Sequence, residues 1–259
     1  MTEETAGTKY TLRRAGGERL GWVHLPGSIF KGGMLLLTKR RWSGMEHVPL
    51  DGPVIFVWNH YSDIDPLPVV HYIYNAGRHP RFLLKNTIVE VPVIGPILKA
   101  TGQIPVYRGR TDAADSLREA IAVLRRGGVV VVAPEGTVTK EPNRWPMRGK
   151  TGVARLALET GAPVVPVVQW GALAIHDRHR KPKFKLGKRK TVTVKALPPV
   201  DLSRWQGAET TRENLAAVTD EIMNALRLGV AELRGEKAPP LFDLREQRRN
   251  QNEESEPTE

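Results

Sequence analysis

One histidine and two aspartates follow an apolar run in the stretch VIFVWNHYSDIDPLPV, which spans residues 54–69. His60 comes directly after that run and Asn59, and Asp63 and Asp65 follow within five residues. A neutral imidazole accepts a proton near physiological pH, and a neighbouring carboxylate fixes its tautomer and stabilises the imidazolium. These residue types therefore indicate a general base held by an acid, provided that the chain folds them together.

The spacing between His60 and Asp65 requires the chain to turn. Positions i and i+5 do not share a face of one continuous helix, where neighbours lie at i+3 and i+4. The letters YSDID and the following Pro66 supply a turn, and they also place Asp65 at the N-cap of a helix that opens with proline. On spacing alone, a helix cap without chemistry is the more frequent explanation, and Asp63 is an equal rival to Asp65.

A second polar turn follows another buried strand. The letters APEGT come directly after the run VVVV and place Glu135, Gly136 and Thr137 at the end of that strand. Glycine permits a tight backbone turn there. Sites in open α/β sheets form outside the carboxyl ends of the strands, so we expect Glu135 to lie at the same edge as His60.

Three cations are candidates for binding phosphate. Arg108 and Arg110 follow the short strand-like run IPV, and a planar guanidinium suits bidentate binding of phosphate. Lys150 precedes a predicted helix, whose N-terminal amides together with the ammonium group would bind an anion. For the two arginines, exposure to solvent on a loop without a ligand is the alternative.

Strand and helix patterns alternate from Pro53 onward. Continuous apolar runs such as VVVV are typical of strands buried on both faces, and the alternation predicts one α/β domain with a mostly parallel central sheet and helices on both faces. We expect the domain to span residues 45–235. A polar N-terminal arm (1–26) precedes it and a polar, disordered tail (236–259) follows it.

Basic residues dominate the charge of the chain. The formal net charge is +11, which favours an acidic partner such as an anionic membrane, a phosphorylated substrate or a nucleic acid. Eight of the residues in 177–190 are Lys or Arg, and they form either a solvated loop or a patch for anionic head groups. Residues 27–44 mix apolar and basic side chains, which predicts an amphipathic helix, either at a membrane surface or packed on the core.

Several classes of chemistry are excluded by the sequence. The chain has no cysteine, which excludes disulfides, thiolate metal sites and a cysteine nucleophile. Its histidines form no H-E-x-x-H motif, no G-x-G-x-x-G loop follows a strand, and no G-x-S-x-G elbow surrounds Ser62. No apolar run reaches the length of about 18 residues that a membrane span needs. We therefore expect neither metal nor bound cofactor, and any membrane contact to be peripheral.

Four blocks in a fixed order, NHYSDID, GQIPVYR, PEGT and APVVPV, resemble the lysophosphatidic acid acyltransferase family, whose members carry a His-x4-Asp motif. His60 and Asp65 have the spacing of that motif. The other matching positions are Gly102, Ile104, Val106, Arg108, Pro134, Glu135, Gly136, Thr137, Lys150, Gly152, Ala154, Val165 and Pro166. The resemblance spans roughly residues 50–170.

This resemblance implies a glycerolipid acyltransferase fold and transfer of a fatty acyl group from acyl-CoA or acyl-carrier protein to a hydroxyl of 1-acylglycerol 3-phosphate, giving phosphatidic acid in phospholipid biosynthesis. It implies His60 as general base and selects Asp65 over Asp63 as its partner. The residues implied to hold the glycerol phosphate are Arg108, Glu135, Gly136, Thr137 and Lys150. The implied location is peripheral, on the anionic inner face of the cell membrane, with no nucleic acid as partner.

Three positions depart from the family pattern and leave other acceptors open. Tyr61 stands where glutamine or arginine is frequent, Ala133 replaces a phenylalanine, and Val138 replaces an arginine. Glycerol 3-phosphate, a lysophospholipid or a glycolipid are alternative acceptors. A non-catalytic basic protein that binds membranes or nucleic acid is the alternative from another class.

Overall fold

The computed structural model describes residues 32–107, 110–177, 187–244, 246–247 and 249, and of 110–113 the backbone alone. Its strands are β1 (Thr38–Ser43), β2 (Val54–Trp58), β3 (Pro80–Lys85), β4 (Ile104–Val106), β5 (Val129–Val132), β6 (Val164–Trp170) and β7 (Lys190–Ala196). Its helices are α1 (residues 32–37), α2 (Pro66–Asn75), α3 (Asn86–Val89), α4 (Ile94–Ala100), α5 (Arg110–Arg125), α6 (Gly152–Thr160) and α7 (Arg212–Arg234).

The strands of these described residues form one seven-stranded sheet in the order β1-β7-β6-β2-β5-β3-β4. Neighbouring strands are parallel except β6 and β7. The central strand β2 pairs Phe56 with Val131 of β5 on one side and with Val165 of β6 on the other. Because β2, β3, β5 and β6 run the same way, the segments that follow them emerge at one edge of the sheet.

Both faces of the sheet are covered by helices. Val57 and Val132 face a core that includes residues of α5, α6 and α7, whereas Phe56 and Val131 face a second core that includes residues of α2. Strands with both faces buried need apolar side chains throughout, which explains the continuous runs in β2 and β5. The predicted fold, a single α/β domain with a mostly parallel sheet and helices on both faces, is confirmed.

The prediction of one amphipathic helix within residues 27–44 is wrong in part. Residues 32–37 are helical, but Thr38–Ser43 form the edge strand β1, paired with β7. Charged side chains suit an edge strand, because they oppose pairing with another chain. Trp42 packs edge-on against the rings of His71 and Tyr72, so it anchors this strand to α2.

The prediction of a disordered tail is also wrong for its first part. Leu241 packs against the core beside α7, and the carbonyl oxygen of Phe242 accepts a 2.8 Å hydrogen bond from the backbone N–H of Arg148. The first residues of the tail are thus ordered by half-buried apolar contacts with the core. The predicted arm (1–26), residues 250–259 of the tail and most of the basic stretch in 177–190 lie outside the described residues.

None of the described helices has the length and apolar content needed to cross a membrane.

Candidate active site

The exit from β2 is held in place by amide side chains. Asn59 is buried, and its Nδ2 donates a 3.0 Å hydrogen bond to the carbonyl oxygen of Gln169 at the end of β6. The backbone N–H of Gln169 returns a 2.9 Å bond to Oδ1 of Asn59. The amide of Asn59 thereby continues the pairing of β2 with β6 beyond the last strand residues. This fixes the point from which the next residue, His60, departs.

Asp65 lies folded back against the residues that precede it. Its Oδ1 lies 2.7 Å from Nδ1 of His60, and its Oδ2 accepts hydrogen bonds from the backbone N–H groups of Tyr61 (2.6 Å) and Ser62 (2.7 Å). Its exposed fraction is 0%. The predicted pair is therefore formed, and the turn between its members is closed by the aspartate itself.

The predicted helix cap is present in position but not in bonding. Asp65 occupies the N-cap of α2 with Pro66 at the first helical position, yet its side chain makes no capping hydrogen bond. The carboxylate is already engaged by the turn and by His60. Hydrogen bonds to His60 and to the backbone of the turn, rather than helix capping, account for the position of this side chain.

Asp63, the rival partner, points elsewhere. Its side chain is 36% exposed, and its Oδ2 lies 3.9 Å from Nδ1 of His176. Its carboxylate is thus matched with a different histidine. The structure selects Asp65 over Asp63 as the partner of His60.

Opposing effects set the charge state of Asp65. Burial raises the pKa of its carboxyl group above the ordinary value, while the hydrogen bond and charge of His60 and the N–H groups of Ser62 and Tyr61 lower it. Such donors favour the ionised form, which is the form that stabilises an imidazolium. The second ring nitrogen of His60, Nε2, has no hydrogen-bond partner within the described chain, and its side chain is 18% exposed. The imidazole is thus partly open to solvent, and Nε2 is the ring nitrogen that Asp65 leaves unbound.

Glu135, which the sequence predicts to contact the substrate, is buried behind the turn. It is 2% exposed, and its carboxylate oxygens accept hydrogen bonds from the backbone N–H groups of His60 (3.2 Å) and Met147 (3.1 Å). Burial raises the pKa of Glu135 to about 8, although those N–H groups and Thr139 work against the rise. The position beside His60 was predicted, but Glu135 joins two loops instead of facing solvent.

Gly136 and Lys150 meet beside Glu135. Gly136 has a positive φ of 67°, and a Cβ added there would lie 2.9 Å from Nζ of Lys150. The backbone N–H of Lys150 donates a 2.8 Å hydrogen bond to the carbonyl oxygen of Pro134. Glycine therefore lets the lysine side chain lie directly on the turn. Lys150 is exposed and Thr137 is half-buried, so both are accessible at this edge of the sheet.

Tyr61 has a structural role that its departure from the family pattern did not reveal. It is 2% exposed, and its hydroxyl donates a 3.1 Å hydrogen bond to Oε1 of Gln169. The hydroxyl oxygen of Tyr61 also accepts a 3.0 Å hydrogen bond from the backbone N–H of Ala172. Burial raises the pKa of this phenol well above its usual range. Gln169, a lone polar residue in the apolar strand β6, was the available signal for this buried network.

The two predicted arginines are not among the described side chains. Arg108 is outside the described residues, as is the side chain of Arg110. Among the described side chains, no group of three or more metal-ligating residues is suited to hold a metal ion.

Comparison with known protein families places the site in context. A family model described as Acyltransferase matches residues 39–170, just over half of the chain, and this range includes His60, Asp65, Glu135 and Lys150. The chain belongs to the acyltransferase family. The resemblance drawn from the four sequence blocks is thereby confirmed.

Relatives within the family carry one name. The chain is 32% identical over 187 residues to the 1-acyl-sn-glycerol-3-phosphate acyltransferase of Borreliella burgdorferi, covering 71% of this chain and 70% of that protein. It is 32% identical over 130 residues to the chloroplastic 1-acyl-sn-glycerol-3-phosphate acyltransferase BAT2 of Brassica napus, covering 49% of this chain and 36% of that protein. The chain thus spans only about a third of the length of this chloroplastic relative.

A solved structure of similar fold comes from Thermotoga maritima. The crystal structure of its 1-acyl-sn-glycerophosphate acyltransferase superposes with a TM-score of 0.64 at 24% sequence identity, covering 84% of this chain and 81% of that one. The likeness supports the same arrangement of sheet and helices.

Proposed function

We propose that the protein transfers a fatty acyl group from an acyl thioester, acyl-CoA or acyl-carrier protein, to a hydroxyl of 1-acylglycerol 3-phosphate, giving phosphatidic acid in phospholipid biosynthesis. The observation that carries this proposal is the 2.7 Å contact between Nδ1 of the partly exposed His60 and the buried Asp65, within the residues that the acyltransferase family model matches. The acceptor is that of the relatives named above, which are 1-acyl-sn-glycerol-3-phosphate acyltransferases.

The pair acts as a general base in this scheme. Nε2 of His60 takes the proton of the acceptor hydroxyl while its oxygen attacks the thioester carbonyl, and Asp65 holds the Nδ1–H and stabilises the imidazolium. The tetrahedral intermediate collapses with loss of the thiolate, which takes the proton back from His60. An ester and a free thiol result, and neither metal nor bound cofactor takes part.

Two cations, Lys150 and Arg108, hold the phosphate of the acceptor in this scheme. Lys150 is exposed on the turn beside Glu135 and precedes α6, whose N-terminal N–H groups favour an anion. Arg108 supplies a planar fork for the same phosphate. Glu135 contributes indirectly, because it fixes the backbone of His60.

Contact with an anionic membrane surface brings the lipid to the site. The exposed apolar side chains of α3, α4 and the turn between them are Ile88, Val91, Val93, Ile94 and Ile97. Lys85 and Lys99 flank them, and this combination suits the head-group boundary of a bilayer. Since α3 follows β3, this surface lies at the sheet edge that carries His60. We place the protein peripherally on the inner face of the cell membrane.

A panel of acceptors tests the proposal. The purified protein is given acyl-CoA with lysophosphatidate, glycerol 3-phosphate, a lysophosphatidylcholine or a glycolipid, and thiol release and lipid mass are followed. Since the chain has no cysteine, a thiol-reactive dye reports CoA without background from the protein. We expect phosphatidate from lysophosphatidate, and loss of that product in His60→Ala with unchanged binding to vesicles. Vesicle binding without thiol release from any acceptor would instead identify a non-catalytic membrane-binding protein.

A further inference from the structure

Arg234 joins three segments around the active site from the C-terminal end of α7. Its guanidinium carbon lies 4.2 Å from the ring centre of Trp145 and 4.6 Å from that of Trp170. Its Nη1 donates a 2.8 Å hydrogen bond to the carbonyl oxygen of Asn143, and its Nη2 contacts Glu236 at 2.7 Å. With a side chain only 10% exposed, this cation is largely desolvated, which strengthens cation–π contacts.

Trp170 is connected to Asp65 through Tyr61. Trp170 ends β6, and its ring lies 4.7 Å from the ring of Tyr61 at an angle of 30°. The backbone N–H of Tyr61 is the donor that binds Oδ2 of Asp65 at 2.6 Å. The position of Trp170 therefore bears on the hydrogen bonds that orient the carboxylate.

Trp145 is connected to His60 through Thr139. The carbonyl oxygen of Trp145 accepts a 2.7 Å hydrogen bond from the hydroxyl of Thr139. The backbone N–H of Thr139 in turn donates to the carbonyl oxygen of His60, also at 2.7 Å. The two indoles that contact Arg234 thus reach the two members of the catalytic pair by separate routes.

We propose that Arg234 is a positioning residue for the acyl-transfer step. The guanidinium holds Trp145 and Trp170 at a fixed separation. The N–H of Tyr61 thereby keeps its hydrogen bond to Asp65, and the N–H of Thr139 keeps its hydrogen bond to the carbonyl oxygen of His60. This inference rests on the proposed function. Arg234 lies outside residues 39–170, which the family model matches, and within the described residues it has no contact with His60 or Asp65 themselves.

The effect of losing this arginine follows from the geometry. Without the cation the indoles are free to move, the N–H of Tyr61 draws away from Asp65, and the carboxylate stabilises the imidazolium less well. The hydrogen bond between Nδ1 of His60 and Asp65 should then weaken, and the Nδ1–H proton of His60 should move upfield in the NMR spectrum. A residue that serves only folding would lower the melting temperature and leave this resonance in place.

The test compares Arg234→Met and Arg234→Lys with the matched variant Arg204→Met. Arg204 lies 3.8 Å from the ring centre of Trp205 and pairs with Glu221, so its loss removes an Arg–Trp contact that has no route to His60. We expect Arg234→Met to lower kcat about tenfold with little change in KM, and Arg234→Lys, which keeps the charge without the planar group, to be intermediate. Arg204→Met should keep the kcat of the parent.

A second readout separates this inference from the proposed function. The Nδ1–H resonance of His60, which reports its hydrogen bond to Asp65, is observed by NMR on histidine-labelled protein, with the signal assigned by its absence in His60→Gln. An upfield shift of this resonance in Arg234→Met but not in Arg204→Met supports the positioning role even in a protein that transfers no acyl group. If folded Arg234→Met has the His60 resonance and the kcat of Arg204→Met, the positioning role is refuted.

Discussion

Oδ1 of Asp65 lies 2.7 Å from Nδ1 of His60, although five positions separate these residues and no continuous helix would bring them together. The turn that joins them is closed by the other oxygen of the same carboxylate, which accepts from two consecutive backbone N–H groups. Asp65 is therefore both the partner of the base and the reason that the base is correctly placed.

The two aspartates of the turn should differ in their effect on kcat when each is replaced by asparagine. Asp65→Asn removes the negative charge and replaces one of the two acceptor oxygens by a donor, so the amide cannot serve both His60 and the backbone of the turn. We expect kcat to fall by about 10³- to 10⁴-fold. Asp63→Asn should change kcat by no more than a few-fold, because Asp63 lies beside His176 instead of His60. Steady-state kinetics on both variants, with circular dichroism to verify folding, measures the difference. Equal losses in the two folded variants would contradict the assignment of Asp65.

Glu135 predicts a dependence of stability on pH. Burial raises its pKa from 4.5 to about 8, so between these values the folded protein holds a proton that the unfolded chain has lost. The free energy of unfolding should therefore fall as pH rises from about 5 to about 9. Glu135→Gln, which resembles the protonated acid, should remove this part of the slope. Urea unfolding of both proteins across this pH range measures it, and parallel curves would show that Glu135 does not titrate there.

The sequence predicted the fold and the contact between His60 and Asp65 because both depend on local patterns. Strand β2 is a continuous apolar run, and the turn after it contains its own histidine, aspartate and proline. The roles of β1 and Glu135 depend on distant partners instead. Thr38–Ser43 become a strand only by pairing with Lys190–Ala196, and the carboxylate of Glu135 is claimed by the N–H groups of His60 and Met147. No periodicity in either segment encodes those contacts.

Gly136 should be sensitive to a single added methyl group. Gly136→Ala places a Cβ at a positive φ of 67° and 2.9 Å from Nζ of Lys150, so the lysine must move. Gly207→Ala is a matched control, because its φ is 74° and no atom lies within 4 Å of its added Cβ. Both variants should lose about 1–2 kcal/mol of stability from the backbone conformation. Only Gly136→Ala should raise the KM for lysophosphatidate. An equal KM in both variants would show that Lys150 does not contact the acceptor.

Lys150 should discriminate between acceptors by charge. Lys150→Ala removes a cation from the proposed phosphate site, and we expect the KM for lysophosphatidate to rise about tenfold or more, as for the loss of a charged hydrogen bond. The KM for an uncharged monoacylglycerol should change little. Arg125→Ala removes an exposed cation from the opposite edge of the sheet, before β5, and serves as the control. A uniform rise in KM for both acceptors would indicate a structural role for Lys150.

The exposed apolar surface of α3 and α4 predicts that a charge added there weakens binding to a bilayer. Val93 is 77% exposed in the turn between these helices and has a positive φ of 68°, which aspartate tolerates better than valine. Val93→Asp therefore adds a charge to this surface without new backbone strain. We expect binding to vesicles rich in phosphatidylglycerol to weaken about five- to tenfold, because one charge near such a surface changes the free energy of binding by about 1 kcal/mol and lost apolar contact adds to it.

Leu228→Glu is the matched control for this surface, since Leu228 is 52% exposed on α7. It adds the same charge away from α3 and α4 and should leave vesicle binding unchanged. Co-sedimentation measures binding, and acyl transfer to a short-chain, water-soluble lysophosphatidate measures the chemistry apart from the bilayer. Val93→Asp should keep that soluble activity, because His60 and Asp65 are untouched. If Val93→Asp and Leu228→Glu bind vesicles equally, the surface of α3 and α4 does not face the membrane, and the lipid must enter the site from another side.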